Sequence, residues 1–395
     1  MLVEQFIKDH IDQTVRQGKN NDPDRISLPF PYTVPSISEA FQEMYYWDTY
    51  FTNKGLLLLG KTELAINNVE NLAWLARQYG FIPNGTHVQL LNRSQPPVFV
   101  LAVADVWQFL SEEKKSEFVE ALKKEYSFWD KRRKTELGLN RYDCETTEEE
   151  YLAFAHMYER RVGIVTEHSA IRGRDIMAEA ESGWDFSPRF PLGCTNYCPV
   201  DLNSLLYALE LFLAEKDNIE ESRCGWREKA EKRKEQMRLL LDENGVYSDY
   251  GLVDGKPSGI YSCAGFFPYF LGLSQDKAGY EKLLSVLERD FGVISCVSEE
   301  KRFQWAAPNG WAPLFYVCVM AGERLGLRNS AVRVAKKFVD MLDRGFAKTG
   351  KLYEKYDVET GEIGLGGEYG TPEMLGWTAG VYLALKEYIN DQANL

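Results

Sequence analysis

The feature that most constrains this chain is a near-unbroken succession of helix-period segments with almost no strand signal between them. In residues 61–79, Leu64, Ile66, Val69, Leu72, Ala73 and Ala76 recur at the helical period, and Gly80 supplies the stop. Comparable patterns predict helices over 3–17, 39–59, 98–110, 112–130, 165–180, 201–217, 222–242, 261–273, 276–290, 310–326, 329–345 and 373–390. Residues 19–36 are rich in Pro, Asn and Asp and read as an extended lead-in rather than a strand. Residues 244–260 read as turns or a short hairpin. An even series of helices, paired inner and outer, closes into an α/α barrel whose connecting loops gather at one end. No sharp short repeat favours a solenoid. The 395 residues would allow two or three domains on length alone, but no linker divides them, so one domain spanning 1–395 is expected.

Charge narrows the partners. Lys and Arg total 46 against 59 Asp and Glu, a net charge of −13, and the basic clusters at 131–134 and 229–234 lie among acidic neighbours. Nucleic acid and anionic membranes are therefore not expected partners. No segment approaches the roughly 18 apolar residues of a membrane span, and the N-terminal residues lack the apolar core of a signal peptide. Seven scattered Cys fit reduced thiols better than a disulfide framework, so a cytoplasmic location is expected. Cys194 and Cys198 are four apart, but no second Cys/His pair accompanies them, and neither a metal nor a cofactor is expected.

Between the helices lie segments of another character. Ala180–Asn203 is broken by Gly183, Pro188, Pro191, Gly193 and Pro199, and sets Trp184 beside Asp185. An indole lowers the local dielectric and stacks on a sugar face, and desolvation raises a neighbouring carboxyl toward general-acid range. Four other segments combine rings or turns with carboxylates and amides. They are Tyr45 to Asp48, Asn84 with Arg93, Ser94 and Gln95, Gln304 to Trp311, and Glu354 to Tyr356 with Gly366 to Tyr369. The chain has 9 Trp and 22 Tyr, enough to line a cleft with ring faces, although such rings also fill cores. With no phosphate loop and no nucleophilic triad, this inventory suits glycosidic bond cleavage, which needs one protonated carboxyl and one carboxylate. Spacing along the chain does not decide which carboxylates pair.

The segments ESGWDF, QWAAPNGWAP, GFIPNG with LNRSQPP, PVDLNSLLY, and EKYDV with GGEYG and GWTAGV resemble the trehalase family of glycoside hydrolases, in that family's order and over residues 37–382. The resemblance implies an all-α (α/α)6 barrel with an inserted loop region around 143–180, whose length and charge suit a lid. It implies an inverting α-glycosidase acting on a small sugar, with trehalose as the first expectation. Asp185 falls on the general acid and Glu354 on the general base, with carboxyl groups about 6.5–9.5 Å apart. Trp47, Asp48, Asn84, Arg93, Ser94, Gln95, Gly183, Trp184, Gln304, Trp305, Gly310, Glu368 and Trp377 fall on substrate-site positions.

Four departures bear on specificity. Ala40 stands where the family carries Arg, Ala306 where it carries Asp, and His87 at another Arg position. The Arg-Pro-Glu motif that precedes the acid has no counterpart, only Thr147–Tyr151 without an Arg. A sugar hydroxyl buried without its partner costs about 1–3 kcal/mol, enough to change the accepted leaving group. Glucosylglycerate, mannosylglycerate and kojibiose are therefore alternative substrates. A non-catalytic sugar-binding barrel is a second alternative. An epimerase or lyase is a third, disfavoured because no His falls in the strongest motifs.

Overall fold

The computed structural model describes residues 2–364, 366 and 370–393. Fourteen α-helices occur among them: α1 Val3–His10, α2 Tyr46–Leu58, α3 Thr62–Tyr79, α4 Phe99–Val106, α5 Glu112–Arg132, α6 Glu148–Val162, α7 Ala170–Glu181, α8 Val200–Lys216, α9 Glu220–Gln236, α10 Phe267–Phe270, α11 Lys277–Leu287, α12 Ala312–Arg324, α13 Arg328–Thr349 and α14 Trp377–Ala393.

Six of them form a closed inner ring. Helix α2 touches α4, α4 touches α8, and α8, α10, α12 and α14 follow in order before α14 returns to α2. Their sequences explain the placement, because they are apolar or small on nearly every side. In α2, ten of 13 residues are buried, and in α8 twelve of 17. The helices α3, α5, α9, α11, α13 and α1 form the outer layer, with one buried stripe each. The extreme case is α9, which buries only Ala230 and Arg233. Inner and outer helices together make an (α/α)6 barrel.

Helices α6 and α7 stand outside that count. They pack on each other between the fifth and eighth helices and carry a satellite core of Ala155, Tyr158, Val162, Ile176 and Phe186. This corrects the expectation of an inserted loop over 143–180. Thr147 accepts a hydrogen bond from Glu150 N and caps α6, Glu148–Glu150 fill its first turn, and Gly163 ends it at φ +74°. Ser169 caps α7 in the same way, so that helix starts five residues later than predicted. The Thr-x-x-Glu pattern was a readable capping signal.

Two smaller differences also have local causes. The helix predicted over 261–273 shrinks to the tight turn Cys263–Phe266 and one turn of α10, where Pro268 and Gly272 prevent extension. The lead-in contains a two-residue strand, Tyr32–Thr33, paired with Val15–Arg16 once the chain has passed Pro31. At one end of the ring, the start of α2, the lead into α12 and the lead into α14 converge. There the strand Asn309–Trp311 pairs antiparallel with Lys355–Asp357, aligning Trp311 with Lys355.

Candidate active site

One cavity of about 80 Å³ opens at this end, lined by Phe41, Tyr45, Trp47, Asp48, Asn84, Gln95, Gly183, Asp185, Trp305, Trp311, Glu354, Met374 and Trp377. It exceeds the roughly 10–15 Å³ that holds one water and is far smaller than the roughly 300–1,000 Å³ of drug-sized pockets. A larger groove of about 690 Å³ lies on the outside between α13 and the end of α14, lined by Arg328, Arg333, Lys336 and Lys337. It has Asp340 as its single carboxylate and no aromatic ring. Carboxylates, amides and indoles converge in the small cavity.

Each wall is fixed by the backbone that precedes it. Tyr46 N donates to Asn84 O at 3.1 Å and Trp47 N to Gln95 Oε1 at 3.0 Å, so the first turn of α2 is tied to segment 82–95. Asn84 spends both amide protons on Ser94 O and Ala180 O, each at 3.1 Å. Glu181, fully buried at the end of α7, accepts from Ser94 N at 2.8 Å, from Asp143 N at 2.7 Å and from Arg133 at 2.9 Å on both oxygens. This knot sits two residues before Gly183. Gly183 turns the chain at φ +76°, and a Cβ there would lie 3.1 Å from the Trp47 ring. Glycine meets both demands, the left-handed backbone and the close approach.

The floor is aromatic. Trp305 stacks on Trp311 with centroids 3.8 Å apart and rings within 3° of parallel, and it stacks on Trp184 at 5.3 Å. Trp377 meets Trp47, Trp305 and Trp311 edge to face. Behind Trp184 lies Arg189, its guanidinium 4.3 Å from the ring centroid and paired with both Asp201 and Asp249.

The two predicted catalytic carboxylates arrive from opposite directions. Asp185 follows α7, and Glu354 precedes the strand Lys355–Asp357, with its backbone N donating to Pro372 O at 3.1 Å. Gln304 links the two segments: its amide donates to Asp185 O, and its Oε1 accepts from Lys355 Nζ at 3.3 Å. Lys355 Nζ lies 3.7 Å from Glu354 Oε2. Burial, then the charges of Glu354 and Asp185, push the Asp48 carboxyl well above its usual range, against a lowering backbone hydrogen bond. Burial lowers the Arg93 guanidinium, which the nearby Asp185 charge partly offsets.

Nine predicted positions thus meet in the cavity: Asp185, Glu354, Trp47, Asp48, Asn84, Gln95, Gly183, Trp305 and Trp377. Five others stand behind its wall. Ser94 donates to Ile82 O at 2.6 Å, Gln304 braces the Asp185 segment, and Trp184 is the outer indole of the stack. Gly310 gives Val358 and Phe315 room, and Arg93 lies over the Phe154 ring at 5.5 Å. Glu368 lies outside the described residues. Phe41, Tyr45, Trp311 and Met374 were not singled out as site residues. Tyr45 and Trp311 lay inside the motifs, whereas Phe41 and Met374 carried no polar signal that would have marked them.

Comparisons with known proteins bear on the family and the fold. The family model described as Trehalase matches residues 2–390. A periplasmic trehalase of Xanthomonas oryzae is 33% identical over 415 residues, covering 96% of this chain and 72% of that protein. The chain belongs to the trehalase family. A periplasmic trehalase of Salmonella schwarzengrund is also 33% identical, over 98% of this chain and 74% of its own length. Among solved structures, the neutral trehalase of Saccharomyces cerevisiae matches with a TM-score of 0.78 and 25% identity, covering all of this chain and 81% of its own. The mannosylglycerate hydrolase of Thermus thermophilus, 16% identical with a TM-score of 0.66 over 96% of this chain and 99% of its own, shares the fold.

These relatives overturn the cytoplasmic expectation, since they are named periplasmic trehalases. The thiol argument was weak for a physical reason. Six of the seven free cysteines are buried, and burial raises thiols such as Cys263 and Cys194 well above their ordinary range. Buried protonated thiols are inert whether or not the compartment is reducing. Among the described residues, no helix is long and apolar enough to cross a membrane.

Proposed function

We propose that this glycoside hydrolase cleaves α,α-trehalose to two glucose molecules with inversion, using the barrel as one catalytic domain. Asp185 protonates the glycosidic oxygen as the bond to the anomeric carbon breaks. Glu354 takes a proton from the water that attacks that carbon from the opposite face. Asp48, whose carboxyl burial and the neighbouring Glu354 and Asp185 push well above its usual range, lines the same cavity and hydrogen-bonds a sugar hydroxyl. The indoles of Trp47, Trp305 and Trp377 hold the apolar ring faces. Asn84, its amide protons spent, presents its oxygen, and Gln95, its oxygen held by Trp47 N, presents its amide protons. The observation that carries this reading is the meeting of Asp185 and Glu354 in one indole-walled cavity. The names of the relatives, which are trehalases, supply the substrate.

A specific observation favours a second reading of the leaving group. Ala306 is fully buried where the family motif carries Asp, and Ala40, beside the pocket residue Phe41, offers no guanidinium. The polar set around the pocket therefore departs from the family pattern at two positions, which is the ground for testing another α-glucoside such as kojibiose or glucosylglycerate.

The test is a screen of trehalose, kojibiose, glucosylglycerate and mannosylglycerate, with products followed by NMR before mutarotation. Trehalose should release one α- and one β-glucose, because only the attacked unit inverts. Release of α-glucose alone would remove Glu354 as the water-activating base. Sugar binding with no hydrolysis of any α-glycoside would leave a binding barrel in place of the enzyme.

A further inference from the structure

Three side chains on the inserted hairpin form a cluster that the reaction does not use. His156 and Glu159 lie three apart on α6, and so share a face of that helix. His168 precedes Ser169, the cap of α7. One donor atom from each of the three lies within 4.8 Å of the other two. The imidazole rings of His156 and His168 lie 4.1 Å apart, tilted by 56°, and His168 Nε2 bonds to Glu159 Oε2.

We propose that His156, Glu159 and His168 bind a zinc-class divalent cation, and that the ion clamps the start of α7 to α6. The donor set is two imidazoles and one carboxylate, which suits Zn²⁺ or Co²⁺ and leaves one tetrahedral position for water. Bond lengths of about 2.0–2.2 Å require the three donors to draw closer than they stand. Both histidines are exposed and Glu159 is half-buried, so rotation of the side chains achieves this without moving the helices. On binding, the ion replaces the proton that joins His168 to Glu159. The approach of the two imidazoles sets a second nitrogen donor beside the pair that His168 makes with Glu159.

The consequence reaches the cavity through packing. Helix α6 also carries Tyr158, edge-on to Phe186 at 4.8 Å, and Phe154, edge-on to the same ring at 6.3 Å. Phe186 follows Asp185 directly. An ion closing the connection 163–168 therefore stiffens the hairpin against which the Asp185 segment rests.

The experiment is a Co²⁺ titration of tag-free protein followed by visible absorption, with Zn²⁺ competition and thermal unfolding in parallel. The expected result is one ion per chain, displaced by Zn²⁺, with Zn²⁺ raising the unfolding midpoint of the wild type. The variants His156→Gln and His168→Gln should weaken binding by more than about tenfold, the lower end of what loss of even an outlying partner costs a metal site. His10→Gln, on α1, should leave it unchanged. Because the two histidines are exposed, both variants should fold, and circular dichroism checks this. The proposal fails if no ion binds, or if His156→Gln and His168→Gln bind as tightly as the wild type. It stands or falls independently of sugar hydrolysis, because its readout is metal binding.

Discussion

The two sides of the cavity are built differently. The Glu354 side belongs to the barrel: a two-strand ladder pairs it with Asn309–Trp311, Lys355 is fully buried behind it, and Glu354 itself is 3% exposed. The Asp185 side hangs from an inserted helical hairpin with its own satellite core, and Asp185 is only half-buried. The base sits in the rigid wall, the acid on the appended one. A group that must hold one water in line benefits from fixed walls. A group that must protonate a departing oxygen works at the rim where that product leaves.

The largest expected effect tests this division directly. Asp185→Asn and Glu354→Gln should each lower kcat on trehalose by about 10²–10⁴-fold or more, the range for a general acid or base. The two should part on α-glucosyl fluoride, whose leaving group needs no proton. Asp185→Asn should recover most of its rate there and Glu354→Gln should not. Equal recovery in both would erase the distinction between the two sides.

Next in size is the ion pairing behind the indole floor. Arg189 is fully buried, donating to Asp201 at 3.0 and 3.1 Å and to Asp249 at 2.8 and 3.0 Å. Arg189→Met strands two buried carboxylates, which costs about 3–5 kcal/mol. Urea unfolding should report that loss, and a fall below about 1 kcal/mol would mean that the barrel wall tolerates the vacancy.

The same contrast explains what could be read from sequence. The helices of the barrel were legible because each either repeats at 3.6 residues or is apolar throughout. Trp47, Asp48, Asp185, Trp305 and Glu354 were legible because motifs carry them as contiguous words. Ser94 and Gln304 were placed in the sugar site because a polar residue within a family motif looks the same whether it faces the ligand or braces the loop. The bonds that decide between those roles, to Ile82 O and to Asp185 O, join residues 12 and 119 positions apart. The hairpin was half-missed because its first helix, α6, buries little. Only Ala155, Tyr158 and Val162 of α6 are buried, too few to stand out as a stripe.

A pH-dependent effect of a few kcal/mol lies on the hairpin side. Burial raises the Glu179 carboxyl to about 8, with Arg172 and the bond from Ser187 N opposing and the Asp175 and Asp185 charges adding. Below the ordinary carboxyl pKa both the folded and unfolded chains are protonated, and the group contributes nothing. Between that point and about 8 the folded chain holds the extra proton, so stability falls as pH rises, by about 1.36 kcal/mol per unit of separation at most. Glu125, raised to about 8 by burial, adds a slope of the same sign. Glu179→Gln should flatten the decline between pH 5 and 8 without abolishing it. An unchanged slope would show that Glu179 ionises freely in the folded chain.

The smallest effect is the counterpart of Arg189 on the appended side. Arg174, on α7, donates to Asp143 Oδ1 at 2.6 Å, but its side chain is 43% exposed. Asp143 is buried and keeps a second cation, Arg141 Nη2 at 3.2 Å, when Arg174 is removed. Water reaches the vacated place, so the carboxylate is neither dry nor alone. Arg174→Ala should therefore cost no more than about 1 kcal/mol, as for other exposed pairs. The comparison with Arg189 sets the same guanidinium–carboxylate chemistry where the chain meets α8 against that on α7, and the two sites differ in burial and in the number of carboxylates left without a cation. If urea unfolding gave the two substitutions equal costs, the appended hairpin would be as tightly integrated as the barrel. The proton donor would then rest on a wall as rigid as the one behind Glu354.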